Sequence, residues 1–244
     1  MWKNEKMNSL VNSMRKEIKF KVFFKDLGKL YSWIHNSSFK KSYPSRSVNS
    51  LYYDTPNLDF AASNISGETR RFKIRARWYT KPQDDFFKSF CAKNQNFKFE
   101  LKRKRNILSD KKILSEVNFS SEDSINSRRI QLRKKIRNYI VQDNNLSKLI
   151  IDDVIFVRYN REYFEHFLSK NLRLTIDKNL ICSKTQSFLN LNKSEISLNF
   201  VIVELKFNEK DSFNFNKIIQ NIPFRQIRSS KYLYALAKYN KFSY

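Results

Sequence analysis

Glycine and proline are almost missing from this chain of 244 residues, which has two glycines and four prolines. So little glycine excludes a glycine-rich phosphate loop of the P-loop or dinucleotide-binding kind, and it leaves no flexible or collagen-like segment. The two cysteines, Cys91 and Cys182, stand far apart with no second thiol nearby, so neither a disulfide framework nor a thiolate zinc site is expected. The two histidines, His35 and His166, make no ligand pair and receive no role. No run approaches ~18 consecutive apolar residues, the length a membrane helix needs. The opening MWKNEKMNSLVNSMRKE has no apolar core of a secretory leader. The expectation is a cytoplasmic protein without a membrane span.

Acidic residues are also scarce. There are 23 Asp+Glu against 48 Lys+Arg, a formal net charge of +25. A biased coding composition rich in Lys, Asn, Ile and Phe supplies part of that lysine. The rest calls for an anionic partner: nucleic acid, an acidic membrane surface or polyphosphate. Hydrophobic residues are 41% and aromatics 15%, enough for a sizeable core and too much for a disordered chain. We expect residues 1–14 to be a lead-in and residues 15–244 to form a single domain.

Period-two alternation predicts strands near 17–24, 47–54, 70–79, 97–104, 154–164, 172–177 and 200–207. Helical spacing predicts a first helix behind Asp26 as N-cap, one or two helices within 120–149, and C-terminal helices near Phe215–Ile222 and Ser229–Lys241. Residues 80–95 read as a polar loop. The basic run RRIQLRKKIR reads as a solvated helix face, or else as a docking patch.

The stretch GETRRFKIRARWY carries the strongest signal. Arg71, Lys73, Arg75 and Arg77 take every second position, and Phe72, Ile74, Ala76 and Trp78 fall between them. Side chains on one strand face repeat every ~7 Å, so four cations in a row either face bulk water or lie along a polyanion. If such strands close with their charged faces inward, they form a cationic lumen with an apolar outside covered by helices. Arginine forks and lysine point charges there would hold a chain of phosphates. Glu17, Glu100 and Glu204 share these faces, and either neutralise neighbouring cations or hold a divalent metal. For Glu204 the competing reading is an ion pair with Lys206 or a facing arginine.

RKEIKF, SVNSLYYDT, GETRRFKIRARWY, FELKRK, VRYNREYF, LRLTID, VIVELKF and SSKY follow one another in the order of the VTC-type polyphosphate polymerase domain. The chain thus resembles that family, a branch of the triphosphate tunnel metalloenzymes related to the CYTH proteins, from about Arg15 to Tyr232. The resemblance implies an α+β fold, an antiparallel β tunnel barrel with helices packed outside. It implies binding of ATP, triphosphate and polyphosphate with Mn²⁺ or Mg²⁺. Carried over residue by residue, it marks Lys19, Arg75, Arg77, Lys102 and Arg161 as phosphate-binding, with Tyr159 beside Arg161, Ser230 and Lys231 as C-terminal contacts, and Glu204 as the metal carboxylate. Lys111 or Lys112 supplies a further lysine, and Arg71, Lys73 and Lys206 share the same strand faces. The family's CYTH branch opens with Glu-x-Glu-x-Lys, whereas Arg15 stands at the first of those glutamates here, as suits the VTC branch.

Three functions are therefore expected in order: a polyphosphate polymerase using ATP, a triphosphatase or short-polyphosphate hydrolase, and a non-catalytic binder of polyphosphate or nucleic acid. Nucleic acid is disfavoured, because most aromatics alternate with the cations and so face the other way.

Overall fold

A computed structural model of the chain describes residues 15–84, 90, 92, 95–105, 108–117, 119, 123–143, 146–169, 171–185, 195–208 and 212–240. The expected lead-in and Cys91 lie outside the described residues. Ten strands form one antiparallel sheet, nine of them along a single hydrogen-bonded path: β1 (Arg15–Phe23), β2 (Phe39–Asp54), β3 (Arg70–Thr80), β4 (Phe97–Arg105), β5 (Leu108–Val117), β6 (Asp152–His166), β7 (Arg173–Lys184), β8 (Ile196–Ser197), β9 (Phe200–Asn208) and β10 (Gln226–Ile227). The order is β10-β1-β9-β7-β6-β2-β3-β4-β5, with β8 on β7. The path is not closed by hydrogen bonds among the described residues. The helices are α1 (Leu27–Asn36), α2 (Asp59–Ser66), α3 (Ile125–Val141), α4 (Ser212–Gln220) and α5 (Lys231–Asn240). The α+β class expected from the sequence is what the chain adopts.

Two compact units divide the chain. The first comprises Met1–Arg46, Asn160–Leu180 and Leu198–Ser229, the second Ser47–Tyr159, Ile181–Ser197 and Ser230–Tyr244. In the first, β1 pairs along its whole length with β9, and the apolar faces of both strands pack under α1. Phe20, Val22, Leu30, Trp33, Ile34, Leu205 and Phe207 share that core. Asp26 does precede α1, but its side chain caps no amide. A 3-10 turn (Phe24–Asp26) leads into the helix, and the Asp26 carboxylate pairs instead with Lys29 at 3.4 Å.

In the second unit β3 shows why alternation matters. Ile74, Ala76 and Trp78 are buried, and pack with Phe97, Phe99 and Leu101 of β4 against Leu132, Ile136 and Ile140 of α3. The cations between them are thereby turned to the other face of the sheet. α2 connects β2 to β3 and ends at Gly67, whose φ of +78° an L side chain rarely adopts.

The basic run on α3 corrects the expectation of a solvated face. Arg128 is fully buried and donates to the carbonyls of Phe90, Ala92 and Asp123. Arg129 is held by both its Nε and Nη2 to buried Asp153, and Arg133 pairs with Asp152 and Asp153. Arg129 and Arg133 thus bolt the helix to β6, and Arg128 ties it to residues 90 and 92; only the later cations of the run, Lys134, Lys135 and Arg137, are exposed. The sequence reading does not include α2, β5, the two-residue strands β8 and β10, or the first half of β2 from Phe39 to Arg46.

The packing gives a direct test. Ile74 is 1% exposed inside this core, so Ile74→Asp buries an unpaired charge and should cost roughly 4 kcal/mol or more. Urea unfolding of the variant against wild type measures it. A variant of near wild-type stability would mean that the apolar face of β3 has been misassigned.

Candidate functional site

Each unit carries an ionic cluster on the charged face of its strands, opposite the face that packs under α1 in the first unit and under α3 in the second. In the first unit, cross-strand register sets Lys19 of β1 opposite Glu204 of β9, and Glu17 opposite Lys206. Opposite charges facing across an antiparallel pair attract. Lys19 Nζ lies 2.9 Å from Glu17 Oε1 and 3.5 Å from Glu204 Oε1, and donates to the Ser229 carbonyl at 3.2 Å. Lys206 Nζ reaches Glu17 Oε2 at 3.6 Å and Glu204 Oε2 at 3.5 Å. Two carboxylates are therefore bridged by two ammonium groups. Burial and the neighbouring Glu204 push the Glu17 carboxyl up, but Lys19 and Lys206 outweigh them and hold it below the ordinary range.

Arg161 of β6 completes this cluster. Its Nε and Nη2 donate to the two oxygens of Asp177 at 2.6 and 2.7 Å, and Nη2 also reaches Glu204 Oε2 at 3.2 Å. Asp177 is wholly buried. The arginine is thus held by a two-pronged carboxylate and presented in a fixed orientation.

In the second unit the centre is Glu100 of β4, 3% exposed. Arg75 Nε donates to Glu100 Oε2 at 2.6 Å, Lys111 Nζ meets Oε1 at 2.8 Å, and Arg77 Nη1 lies 3.8 Å from the same oxygen. Burial alone would raise the Glu100 carboxyl, yet Arg75, Arg77 and Lys111 pull it down to about 2. Tyr52 stands opposite Arg75 and accepts from its Nη1 at 3.2 Å. Burial would raise the Tyr52 phenol as well, but Arg75, Arg77 and Lys231 hold it below its ordinary value. Lys73, Lys102 and Lys111 face one another in register across β3, β4 and β5.

The start of α5 closes on this cluster. Lys73 Nζ donates to Ser230 Oγ at 2.9 Å, Lys231 Nζ sits 4.8 Å from the Tyr159 ring centroid, and the Tyr232 ring stacks on Tyr52 at 4.9 Å. Tyr232 donates its hydroxyl to Asp54 at 2.5 Å. Asp54 also accepts the amides of Thr55, Phe60 and Ala61 at the head of α2.

The expected residues fall into these two groups. Lys19, Arg161, Glu204 and Lys206 gather in the first unit. Arg71, Lys73, Arg75, Arg77, Lys102, Lys111, Tyr159, Ser230 and Lys231 belong to the second. Lys111, rather than Lys112, meets Glu100. Sequence reasoning missed Tyr52, Asp54, Asp177 and Tyr232. Asp177 ends the quoted motif LRLTID and Asp54 stands next to last in SVNSLYYDT, and their place on the charged strand faces is the available signal. A separate cavity of about 110 Å³, lined by Ile74, Leu101, Ile140 and Leu146 with Arg103 and Asp143, lies on the apolar face of β3 and β4 and so belongs to neither cluster.

A family model for the VTC domain matches residues 3–240. The chain belongs to the VTC domain family. Its fold is the triphosphate tunnel fold expected from the sequence. Among solved structures, a candidate adenylyl cyclase of Hippeastrum, HpAC1, with a dominant triphosphatase activity, is 14% identical. The match covers 92% of this chain and 96% of that one at a TM-score of 0.51. A candidate adenylate cyclase of Vibrio parahaemolyticus is 11% identical over 89% of this chain and 97% of that one, at 0.44. The mimivirus capping enzyme triphosphatase is 11% identical over 89% and 98%, at 0.36. No curated protein matches the chain.

A divalent ion can be tested against the donors of this VTC domain. Among the described residues no group of three or more His, Cys, Asp and Glu side chains could hold a metal. Glu17 and Glu204 nevertheless offer hard carboxylate oxygens side by side, a donor set that suits an ion taking its remaining oxygens from water and phosphate. The residues fit such an ion.

Glu100 makes the electrostatics measurable. Its folded-state value is depressed, so the stability it contributes is fully present above the unfolded carboxylate range and is lost as pH falls towards about 2. Denaturant unfolding of wild type should weaken from about pH 5 downwards, by on the order of 3 kcal/mol from this group. Glu100→Gln should be less stable at neutral pH, with that part of the acid slope removed. An unchanged slope would show that Glu100 does not hold the cluster's charge.

Proposed function

We propose that this VTC domain is a metal-dependent phosphotransferase that moves the terminal phosphate of ATP onto a growing polyphosphate chain, with residues 15–244 acting as one functional domain. The observation that carries the reading is the anchoring of Arg75. Glu100 and Tyr52 fix its guanidinium on a buried cationic face, as stabilisation of a charged transition state requires. In the transfer, an oxygen of the acceptor phosphate attacks the γ-phosphorus, the bond to the β–γ bridging oxygen breaks, and ADP leaves with that electron pair. Arg75 and Arg77 in the second unit and Arg161 in the first are assigned to neutralising phosphate oxygens; Lys19 and Lys206 in the first unit, and Arg71, Lys73, Lys102, Lys111, Ser230 and Lys231 in the second, are assigned to holding phosphates. Tyr159 backs Lys231 through its ring. No protein nucleophile is needed. Glu204, with Glu17 beside it, would hold Mn²⁺ or Mg²⁺, which supplies charge neutralisation at the phosphate oxygens.

Hydrolysis is the second reading, with water as acceptor in place of phosphate. It is favoured by the fold shared with the Hippeastrum protein, in which triphosphatase activity is dominant.

Purified protein incubated with ATP and Mn²⁺ separates these readings. Long-chain polyphosphate supports transfer, free phosphate supports hydrolysis, and neither product leaves a binder. Loss of one charge-assisted contact is worth ~1.5–3 kcal/mol, so Arg75→Ala should weaken triphosphate binding roughly ten- to a hundredfold. Arg75→Lys should not restore it fully, because a fork becomes a point charge. Glu204→Gln should abolish turnover with a much smaller effect on binding. Turnover near wild type at saturating Mn²⁺ would make Glu204 a charge balancer only.

A further inference from the structure

In the first unit β6 alternates in a way that the phosphate clusters do not use. Glu162 and Phe164 face the helix side: Glu162 accepts from Tyr31 of α1 at 2.7 Å, and Phe164 lies in the core beneath that helix. Arg161 and Tyr163 therefore share the opposite face, spaced about 7 Å apart along an extended strand. Arg161 is the arginine held by Asp177 and Glu204. Beyond it, Tyr163 meets the Tyr43 ring edge-on, with centroids 6.1 Å apart and planes at 88°. The Arg46 guanidinium lies 5.3 Å from the Tyr163 centroid.

This group departs from the pattern of the other strands. The Tyr52 and Tyr159 rings on the charged face of the second unit are buried, while here one ring, Tyr43, is 52% exposed. An isolated exposed aromatic needs no explanation. This one packs on a second ring, Tyr163, which carries the Arg46 cation and stands two residues along β6 from the placed Arg161. A reader of phosphates alone needs only cations.

We propose that Tyr43 and Tyr163, with Arg46, form a stacking platform for the base of a nucleoside triphosphate whose phosphates lie towards Arg161. This rests on the ATP-binding reading given above and adds to it a site for the base. Aromatic rings stack on any base, because every base has a π-face, and Arg46 adds a cation over the same surface. The platform therefore favours nucleotides over inorganic triphosphate and discriminates weakly among the four bases.

The test is calorimetric titration of the full chain with ATP and, separately, with inorganic tripolyphosphate, both with Mg²⁺. Wild type, Tyr43→Ala, Tyr163→Ala and Tyr163→Phe are compared, with melting temperatures as a check on folding. Base–aromatic stacking predicts a loss of roughly tenfold in ATP affinity for each alanine variant. Tripolyphosphate affinity should stay unchanged, and Tyr163→Phe should retain ATP binding because the ring remains. Tyr43 is exposed, so Tyr43→Ala carries the test even if Tyr163→Ala fails to fold. Equal weakening of both ligands, or unaltered ATP affinity, overturns the platform while leaving the triphosphate reading in place. A wild-type chain that binds neither ligand overturns the proposed function and this inference together.

Discussion

A guanidinium taken out of water must find fixed acceptors, and both ionic clusters meet that requirement with a carboxylate. Burying an isolated ion costs several kcal/mol even after the protein relaxes. Four arginines of the described residues answer it in the same way, while Arg128 is met by backbone carbonyls instead. Arg75 and Arg77 share Glu100, Arg161 has Asp177, and Arg129 has Asp153. Each acid is itself buried, which strengthens the pairing and fixes the arginine's direction. Arginines placed in advance do not have to reorganise when negative charge arrives, and this is the feature that electrostatic catalysis exploits. The pairing also leaves charge over. Around Glu100 stand Arg75, Arg77 and Lys111, three cations to one carboxylate. The cluster is organised without being neutralised.

The start of α5 depends on the same logic through Asp54. That carboxylate accepts three amides at the head of α2 and the Tyr232 hydroxyl, so one buried acid fixes a helix N-terminus and the entry of another helix together. Tyr232 in turn stacks on Tyr52, which accepts from Arg75. Burial and the adjacent Asp54 push the Tyr232 phenol up, so it remains a donor throughout the physiological range. Ser230 and Lys231 reach the cationic face because the next residue is held in this way.

The charged and apolar faces of β3 were legible because a period of two needs no tertiary information: Ile74, Ala76 and Trp78 had to go one way and Arg75 and Arg77 the other. The first half of β2 was not legible. From Phe39 to Arg46 only Phe39 is buried, and a strand exposed on both faces shows no hydrophobic alternation. The arginines of α3 were misread for another reason. Arg128 and Arg129 find their partners in Phe90, Ala92 and Asp153, far away in sequence, so a basic run that looks solvated is in fact a set of buried bolts. Asp177 and Asp54 were passed over likewise, since their partners Arg161 and Tyr232 lie 16 and 178 residues away.

The register across β3, β4 and β5 bears on which polyanion this surface suits. Lys73, Lys102 and Lys111 stand directly opposite one another, and like charges so placed destabilise a sheet. Lys111 is relieved by Glu100, and Lys73 reaches a neutral hydroxyl on Ser230. A ligand that lies across the three strands and brings several negative charges at once removes the remaining repulsion, and one with a single phosphate does so only in part. The lysines thus reward length in the anion, whereas the carboxylate-held arginines reward correct placement of one reacting phosphoryl group. Extending a phosphate chain uses both properties, and cleaving a triphosphate uses chiefly the second. On the proposed function, the lysine row is the part of this surface that favours a long phosphate chain over a single phosphate.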